Sequence, residues 1–219
     1  MTRRGLVYLH GFASSPRSSK ARFFATRAAE AGLPYCCPDL NQPAFDTLTV
    51  TRMIAANDAA IDGLDADRVA LVGSSLGAFV ALHAAARLPG PRAARVDRLV
   101  LLAPAVDLVP SLEEEFGPER MAEWERTGRL PVFHYGDNAM RELGWAFMAD
   151  ARRFDSTAAA LSLPTLIYQG RHDAVVSAAS VERWAAGRPN VTLTLVDDGH
   201  QLLEHLEPMW RGVERFVTS

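Results

Sequence analysis

The sequence lacks most of the features that mark a secreted, membrane-spanning or nucleic-acid-binding protein. Its 219 residues include only two cysteines, Cys36 and Cys37, and these are adjacent. Neighbouring cysteines rarely bridge each other, so no disulfide framework is expected. Lysine occurs once, at Lys20, and the formal net charge of -3 offers no basic footprint for nucleic acid. No apolar run approaches membrane-spanning length, which predicts the absence of a membrane span.

Other absent features limit the cellular location, the cofactors and the partners that we expect for the protein. The first apolar run begins at residue 6, which leaves no room for a signal peptide, and we expect a cytoplasmic protein. The sequence shows no metal-ligand spacing and no glycine-rich dinucleotide loop, and residues 73–77 lack the lysine of a P-loop. We therefore expect neither a metal nor a cofactor, and no nucleic-acid partner. The sequence leaves the oligomeric state open.

Short apolar runs alternate with helical patterns along most of the chain. Apolar residues make up 48% of the sequence and charged residues 22%, which is typical of a globular domain. The alternation predicts a parallel sheet covered by helices on both faces, and the length suits one domain spanning residues 1–219. The predicted strands lie at residues 6–9, 35–39, 68–74, 99–103, 165–168 and 191–196.

Residues 107–156 break this alternation, and we call them the insertion. A charged helix is predicted at residues 112–126, then a piece interrupted by glycine and proline, then a second helix at residues 138–151. We expect a helical, lid-like insertion within the single domain. Aromatic residues concentrate here: Phe116, Trp124, Phe133, Tyr135, Trp145 and Phe147.

The aromatic residues of the insertion are candidates for an apolar substrate pocket above the sheet. Taken singly, most of them are better explained by packing of the insertion onto the sheet. Taken together, they favour a hydrophobic acyl group over a sugar or a phosphate. A polar substrate would call for converging charged residues, and the sequence reveals none.

The most informative stretch is the Gly-Ser-Ser-Leu-Gly of residues 73–77, which we call the elbow. It follows an apolar strand and leads directly into an alanine-rich helix, which is the context of a nucleophile elbow. A serine at the tip of such a turn is strained, so Gly73 and Gly77 supply the required lack of a Cβ on either side. Ser75 is the predicted nucleophile. A plain strand-to-helix turn with glycines is the alternative interpretation.

A serine nucleophile needs a histidine base and an acid, and loops at the carboxyl ends of strands should supply them. Asp173 follows the predicted strand at residues 165–168, and His200 follows the strand at residues 191–196. The order Ser75, Asp173, His200 is the serine, acid, histidine order of α/β-hydrolases. The three residues match a catalytic triad in residue type, in position after a strand and in chain order. This combined match is far more specific for a triad than the elbow alone.

Neighbouring residues offer alternatives for the acid and the base. His172 lies beside Asp173, but a histidine from the last loop fits the chain order better, which favours His200. Asp197 and Asp198 could replace Asp173 as the acid. They are so close in sequence to His200 that a capping role in a solvated turn is the preferred interpretation.

The remaining predictions at this site concern the oxyanion hole and the other histidines. The backbone N–H groups of Leu76 and Phe12 are the expected oxyanion donors, since one should follow the nucleophile and one should come from the loop after the first strand. His10 is expected to hold that loop in a structural role. His83 on the elbow helix and His205 in the last helix are expected to be packing or surface residues.

Over essentially its whole length the sequence resembles the α/β-hydrolase superfamily, and its first hundred residues resemble the small YqiA-type bacterial esterases. The resemblance implies a three-layer α/β-hydrolase fold with a trimmed sheet of about six strands, mostly or wholly parallel. It also implies hydrolysis of carboxylic esters or thioesters through Ser75, Asp173 and His200. The residues that carry it are Tyr8-Leu9-His10-Gly11-Phe12, Ser14-Ser15-Pro16, Ser18, Lys20-Ala21 and Val72-Gly73-Ser74-Ser75-Leu76-Gly77.

The elbow and the insertion together are also similar, more loosely, to the depalmitoylating hydrolases that act on acylated proteins. The expected partner is therefore a small-molecule ester or thioester, with an acylated protein as a further substrate class. A non-catalytic hydrolase-fold binding protein is the alternative from another functional class. An acyltransferase or an amide hydrolase would use the same triad, whereas a dehalogenase or epoxide hydrolase would need aspartate in place of Ser75.

Overall fold

The computed structural model describes residues 2–88 and 90–219, which form an α/β fold around a six-stranded sheet. The strands are β1 (Arg4–Leu9), β2 (Tyr35–Cys36), β3 (Arg68–Ser74), β4 (Val96–Leu102), β5 (Arg129–His134), β6 (Ala139–Gly144), β7 (Thr165–Gly170) and β8 (Val191–Val196). Those of the six-stranded sheet follow the order β2-β1-β3-β4-β7-β8, and each neighbouring pair is parallel. Strands β5 and β6 pair separately as an antiparallel hairpin.

Helices cover both faces of the sheet. The helices are α1 (Ser19–Glu30), α2 (Val50–Gly63), α3 (Leu76–Ala85), α4 (Gly90–Arg95), α5 (Leu108–Thr127), α6 (Ala146–Ala151), α7 (Ala178–Ala185) and α8 (Leu206–Thr218). Helices α1 and α8 pack on one face, and α2, α3 and α7 pack on the other. Successive strand residues point to opposite faces, so the side chain of Leu71 packs against the second group of helices and that of Val72 against the first.

The predicted fold class is confirmed: the chain forms a three-layer α/β fold with a wholly parallel six-stranded main sheet. Runs of apolar residues predict such strands well because both faces of a parallel sheet are buried. Among residues 2–88 and 90–219, no helix combines the length and the apolar character needed to cross a membrane.

The insertion differs from the two helices and the glycine- and proline-interrupted piece that the sequence predicted. The helix predicted at residues 138–151 is wrong in its first half, where Ala139–Gly144 pairs with Arg129–His134 to form the hairpin. A two-stranded hairpin is marginal by itself, and this one is anchored by Trp124 of α5. The indole N–H of Trp124 donates to the carbonyl of Leu143 at 3.0 Å. Helix α5 is kinked at Gly117, where φ is 69°.

The elbow joins β3 to α3 through a left-handed residue. Ser75 has φ 55° and ψ -117°, a strained conformation for a residue with a side chain. A Cβ on Gly73 would collide with backbone atoms of Gly77 and Ala78. A Cβ on Gly77 would collide with the carbonyl groups of Leu9 and His10 at the end of β1. The turn is thus possible only with glycine at both flanking positions.

Replacement of Gly77 by alanine is expected to lower the free energy of unfolding by about 1–3 kcal/mol, because β1 must move away from α3. The matched control is Gly63→Ala at the end of α2, where no atom lies within 4 Å of an added Cβ. That change should raise stability by about 0.5–1 kcal/mol, as alanine is the better helix residue. Urea unfolding measures both values, and equal effects at the two positions would contradict the close approach at Gly77.

His83 lies inside the layer between α3 and the insertion, as a packing residue. Its side chain is 2% exposed, its Nε2 lies 3.2 Å from the hydroxyl of Ser156, and its ring packs edge-on against Phe79 and Phe154. Burial, aided by the charge of Arg87, lowers the pKa of His83 from 6.5 to about 4. The folded state therefore holds this imidazole neutral under mildly acidic conditions.

The pKa of His83 predicts acid sensitivity between pH 6.5 and 4. In this window the unfolded chain binds a proton that the folded chain does not, so stability falls as the pH falls, by up to about 1.4 kcal/mol per pH unit. His83→Gln retains a hydrogen-bonding group without titrating, and should flatten the pH dependence of the unfolding free energy. His172→Gln, at an exposed histidine, is the control and should leave that dependence unchanged.

Candidate active site

The structure brings Ser75, Asp173 and His200 together at the carboxyl edge of the main sheet. Ser75 lies between β3 and α3, Asp173 follows β7, and His200 follows β8. The Oγ of Ser75 lies 3.1 Å from Nε2 of His200, and Nδ1 of His200 lies 2.9 Å from Oδ2 of Asp173. The three side chains therefore form one continuous hydrogen-bonded chain, although they are up to 125 residues apart in sequence.

Asp173 is held in a fully enclosed, hydrogen-bonded position. Its side chain has no exposed surface, and Oδ1 accepts hydrogen bonds from the backbone N–H groups of Val175 and Val176, each at 2.8 Å. Burial by itself raises the pKa of Asp173, but the hydrogen bonds from His200 and these amides outweigh it and hold the pKa below its usual value. A charged carboxylate accepts from Nδ1–H of His200, which leaves Nε2 free to accept the Ser75 hydroxyl proton.

Gln169 also supports Asp173, and the sequence interpretation missed it. This residue of β7 is completely buried, and its Nε2 donates to Oδ2 of Asp173 at 3.0 Å. The same NH₂ group lies 3.1 Å from the carbonyl of Val176, so it ties the loop to the strand. A glutamine at the end of an otherwise apolar strand was the available signal.

The alternative acid and base residues are engaged away from Ser75. His172 pairs with Asp197 at 2.6 Å, and their side chains are 70% and 79% exposed. Asp198 accepts from the backbone N–H groups of Gly199 and Glu204, as expected of a capping residue, and also pairs with His205. Within residues 2–88 and 90–219, no group of three or more histidine, cysteine or acidic side chains is placed to hold a metal ion.

The loop after β1 runs beside the elbow, where the sequence predicted the oxyanion donors. A Cβ placed on Gly11 would lie 3.5 Å from Cβ of Ser75, and Phe12 follows directly. Leu76 is the first residue of α3, so its N–H has no acceptor within the helix. Both Phe12 and Leu76 line the same cleft as Ser75.

His10 holds this loop in place. The side chain is 1% exposed, and Nε2 lies 3.0 Å from the backbone N–H of Leu40, from which it accepts a hydrogen bond. The proton must then reside on Nδ1, which donates to the carbonyl of Gly11 at 3.0 Å. The expected structural role of His10 therefore fits its contacts.

A cleft of about 940 Å³ opens over Ser75 and His200. One wall consists of apolar side chains, most of them from the insertion. Of the aromatic residues predicted to line a pocket, Trp145 does not reach the cleft. It packs edge-on against Trp124 with ring centroids 5.2 Å apart. The predicted aromatic residues that do line the cleft are Phe116, Trp124, Phe133, Tyr135 and Phe147.

Another part of the cleft lining is polar, which the sequence interpretation did not foresee. Arg17 and Lys20 line it together with the serines of the loop after β1. The expectation that no charged residues converge near the site is therefore wrong. The available signal was that the only lysine of the chain follows directly upon this serine-rich loop. The serines of this part of the lining are Ser14, Ser15, Ser18 and Ser19.

The hairpin of the insertion is joined to the loop after β1. The backbone N–H of Gly136 donates to the carbonyl of Ala13 at 3.1 Å. The ring of Phe12 packs against Phe147 of α6 with centroids 5.9 Å apart. The cleft wall and the predicted oxyanion loop therefore form one packed unit.

Comparison with solved structures places the fold among α/β-hydrolases. A candidate hydrolase from Agrobacterium vitis S4 is 26% identical, with a TM-score of 0.84 over 98% of this chain and 88% of that chain. Alpha/beta hydrolase domain-containing protein 10 from mouse is 19% identical, with a TM-score of 0.80 over 98% of this chain and 89% of its own. The esterase Est1E from Butyrivibrio proteoclasticus, with ferulic acid bound, is 19% identical, with a TM-score of 0.79 over 98% of this chain and 88% of that chain.

No curated protein matches the sequence significantly. The two likenesses at 19% identity show the fold alone. Residues 5–216 match the pattern that defines an uncharacterised protein family, UPF0227, and the chain belongs to this family.

Proposed function

We propose that the protein is a serine hydrolase that cleaves carboxylic esters or thioesters with an apolar acyl group. The observation that carries this proposal is the hydrogen-bonded chain from Ser75 through His200 to Asp173. A serine hydroxyl is a weak nucleophile at neutral pH unless a base takes its proton during attack. The contacts of Asp173 fix the imidazole tautomer that leaves Nε2 facing Ser75, which is the arrangement a general base needs.

In the proposed reaction, Ser75 attacks the acyl carbonyl while His200 takes its proton. The resulting oxyanion accepts hydrogen bonds from the N–H groups of Phe12 and Leu76, and Asp173 stabilises the imidazolium. His200 then donates the proton to the leaving alcohol or thiol, and an acyl-enzyme on Ser75 remains. Water attacks this ester with His200 again as the base, which releases the acid and restores the hydroxyl. These steps need neither a metal nor a cofactor.

The apolar wall of the cleft supports an apolar acyl group. Side chains of the insertion surround the space next to Ser75, and burial of an acyl chain there would contribute about 0.8 kcal/mol per CH₂ group. The wall consists of Val106, Leu108, Leu112, Phe116, Val132, Leu143 and Phe147.

We also propose that the chain is a single domain in which the insertion is a fixed wall of the cleft. Leu71 of the sheet, Trp124 of α5 and Leu130 of β5 belong to one continuous buried core. An insertion held by shared core packing differs from a loosely hinged lid, since opening it would expose large apolar side chains to water.

Ser75→Ala is expected to reduce hydrolysis of p-nitrophenyl butyrate by at least about 1,000-fold, because no other group supplies the nucleophile. The fold should be retained, as measured by circular dichroism and thermal unfolding. The wild type should also be labelled at Ser75 by a fluorophosphonate probe. A folded wild type that resists the probe and leaves the ester intact would support a non-catalytic binding protein instead.

Asp173→Asn is expected to lower kcat by about 100- to 10,000-fold, because an amide no longer fixes the imidazole tautomer or stabilises the imidazolium. The matched control is Asp197→Asn, since Asp197 pairs with the exposed His172. The control should stay within about threefold of the wild type, as is usual for a surface ion pair. A larger loss of kcat for Asp197→Asn than for Asp173→Asn would show that Asp173 is not the acid.

A further inference from the structure

Lys20 is a buried cation that the proposed mechanism does not use. Its residue surface is only 8% exposed, yet it lines the cleft that contains Ser75. An ammonium group carries three hydrogen-bond donors, and burying it without partners costs several kcal/mol. Lys20 is largely buried and borders the cleft, so an acceptor oxygen of a ligand in the cleft can bind its ammonium group.

The carboxylates near Lys20 are already engaged by other donors. Asp173 and Asp198 are the acidic groups whose charge acts on it. The oxygens of Asp173 accept from His200, Gln169 and two backbone amides, and those of Asp198 accept from His205 and two other amides. Within the two described ranges, neither carboxylate comes within ion-pair distance of Lys20, whose ammonium has no hydrogen-bond partner there.

The surroundings of Lys20 suit an anion. Lys20 lies in the first turn of α1, a 12-residue helix, where the helix dipole favours negative charge. Arg17, three residues before Lys20, adds a second positive charge to the cleft wall. The hydroxyl-bearing residues of the lining that belong to β1, the loop after it, the start of α1 or the end of β3 can donate hydrogen bonds to an anionic oxygen; they are Tyr8, Ser14, Ser15, Ser18, Ser19 and Ser74.

We propose that Lys20 and the serine-rich loop around it form an anion subsite, and that the substrate is an ester or thioester bearing a negatively charged group. This inference rests on the proposed hydrolase function and adds the substrate class to it. One part of the substrate is apolar and lies along the insertion, and another part carries a carboxylate or phosphate bound by Lys20. The ester bond that is cleaved lies at Ser75, either between these two parts of the substrate or next to one of them.

The ionisation of Lys20 is compatible with this role. Burial lowers its pKa to about 8, and the attraction of Asp173 and Asp198 opposes a larger fall. The ammonium therefore stays largely charged at neutral pH. The other titratable groups that line the cleft are Tyr8, Arg17, Asp107, Glu115, Arg120, Tyr135 and His200.

The test compares charged esters with neutral esters of similar size. In 4-butyryloxybenzoate the carboxylate lies in the leaving group, and its methyl ester is the neutral partner. In mono-p-nitrophenyl glutarate the carboxylate lies in the acyl group, and p-nitrophenyl pentanoate is the neutral partner.

Lys20→Met retains the length and apolar stem of the side chain and removes the charge. It should lower the ratio of kcat/KM for the charged to the neutral ester by about 10- to 100-fold in at least one pair, the loss expected for a charge-assisted hydrogen bond.

The matched control is Arg22→Met, which removes one positive charge from an exposed position of the same helix, outside the cleft. It should leave both ratios within about twofold of the wild type. The pair in which Lys20→Met acts shows whether the anion belongs to the acyl part or to the leaving group. Equal losses on charged and neutral esters, or equal effects of Lys20→Met and Arg22→Met, would overturn the subsite.

Two further measurements keep the result interpretable. If Lys20→Met fails to fold, inhibition of the wild type by benzoate and by benzamide replaces it, and only benzoate should compete with the charged ester.

If the folded wild type hydrolyses none of the four esters, the hydrolase proposal fails by itself. Calorimetric binding of 4-butyryloxybenzoate to the Ser75→Ala protein then still tests the subsite, because added Lys20→Met should weaken that binding about 10- to 100-fold. Unchanged binding would overturn the subsite.

Discussion

The close approach between the end of β1 and the start of α3 controls the geometry of the whole site. Gly77 packs directly on the carbonyl groups of Leu9 and His10, with no room for a Cβ. This contact sets the separation between the elbow, which holds Ser75 in its left-handed conformation, and the loop that carries Phe12. His200 and Asp173 reach the same point because the parallel strands end at a common edge. A shift of β1 would therefore displace Phe12, one of the predicted oxyanion donors, relative to Ser75 and Leu76.

Asp173 and Lys20 show two different ways in which the fold treats a buried charge. The carboxylate of Asp173 is satisfied entirely by groups of the protein, so its position and its charge are fixed before any substrate binds. Lys20 is also largely buried, but it lines the open cleft. In the first case the protein stabilises one of its own side chains for chemistry. In the second case, the protein leaves the hydrogen-bond donors of the Lys20 ammonium group available for the proposed anionic ligand.

The sequence was a good guide to the sheet and to the three residues that meet at its edge. Buried parallel strands are continuous apolar runs, and the spacing of Asp173 and His200 after two such runs predicts where they lie. The hairpin at Arg129–His134 and Ala139–Gly144 was not predictable in the same way. Several of its side chains face solvent, so it lacks the apolar pattern of a core strand, and it depends on Trp124 from a different element for its position.

The positions of Trp145, Gln169 and Lys20 depend on long-range packing in the same way. The sequence predicts Trp145 as a pocket residue, but its ring packs against Trp124, and of the two only Trp124 lines the cleft. Gln169 and Lys20 are polar residues whose burial follows from neighbours far away in the chain. The local sequence pattern shows that a polar residue at such a position is unusual, but only the folded structure shows which groups its side chain contacts.

The bond between Gly136 and Ala13 has a consequence for how proteins built on this fold can diverge. In many enzymes a specificity segment can be exchanged by recombination while the catalytic frame stays intact. Here the insertion that shapes the cleft also supports the strand-end loop beside Ser75, through that bond from the hairpin and through the contact of Phe12 with Phe147 of α6. Exchange of the insertion would consequently disturb the loop beside Ser75 as well, and a transplanted insertion has to bring a compatible residue 10–18 loop with it.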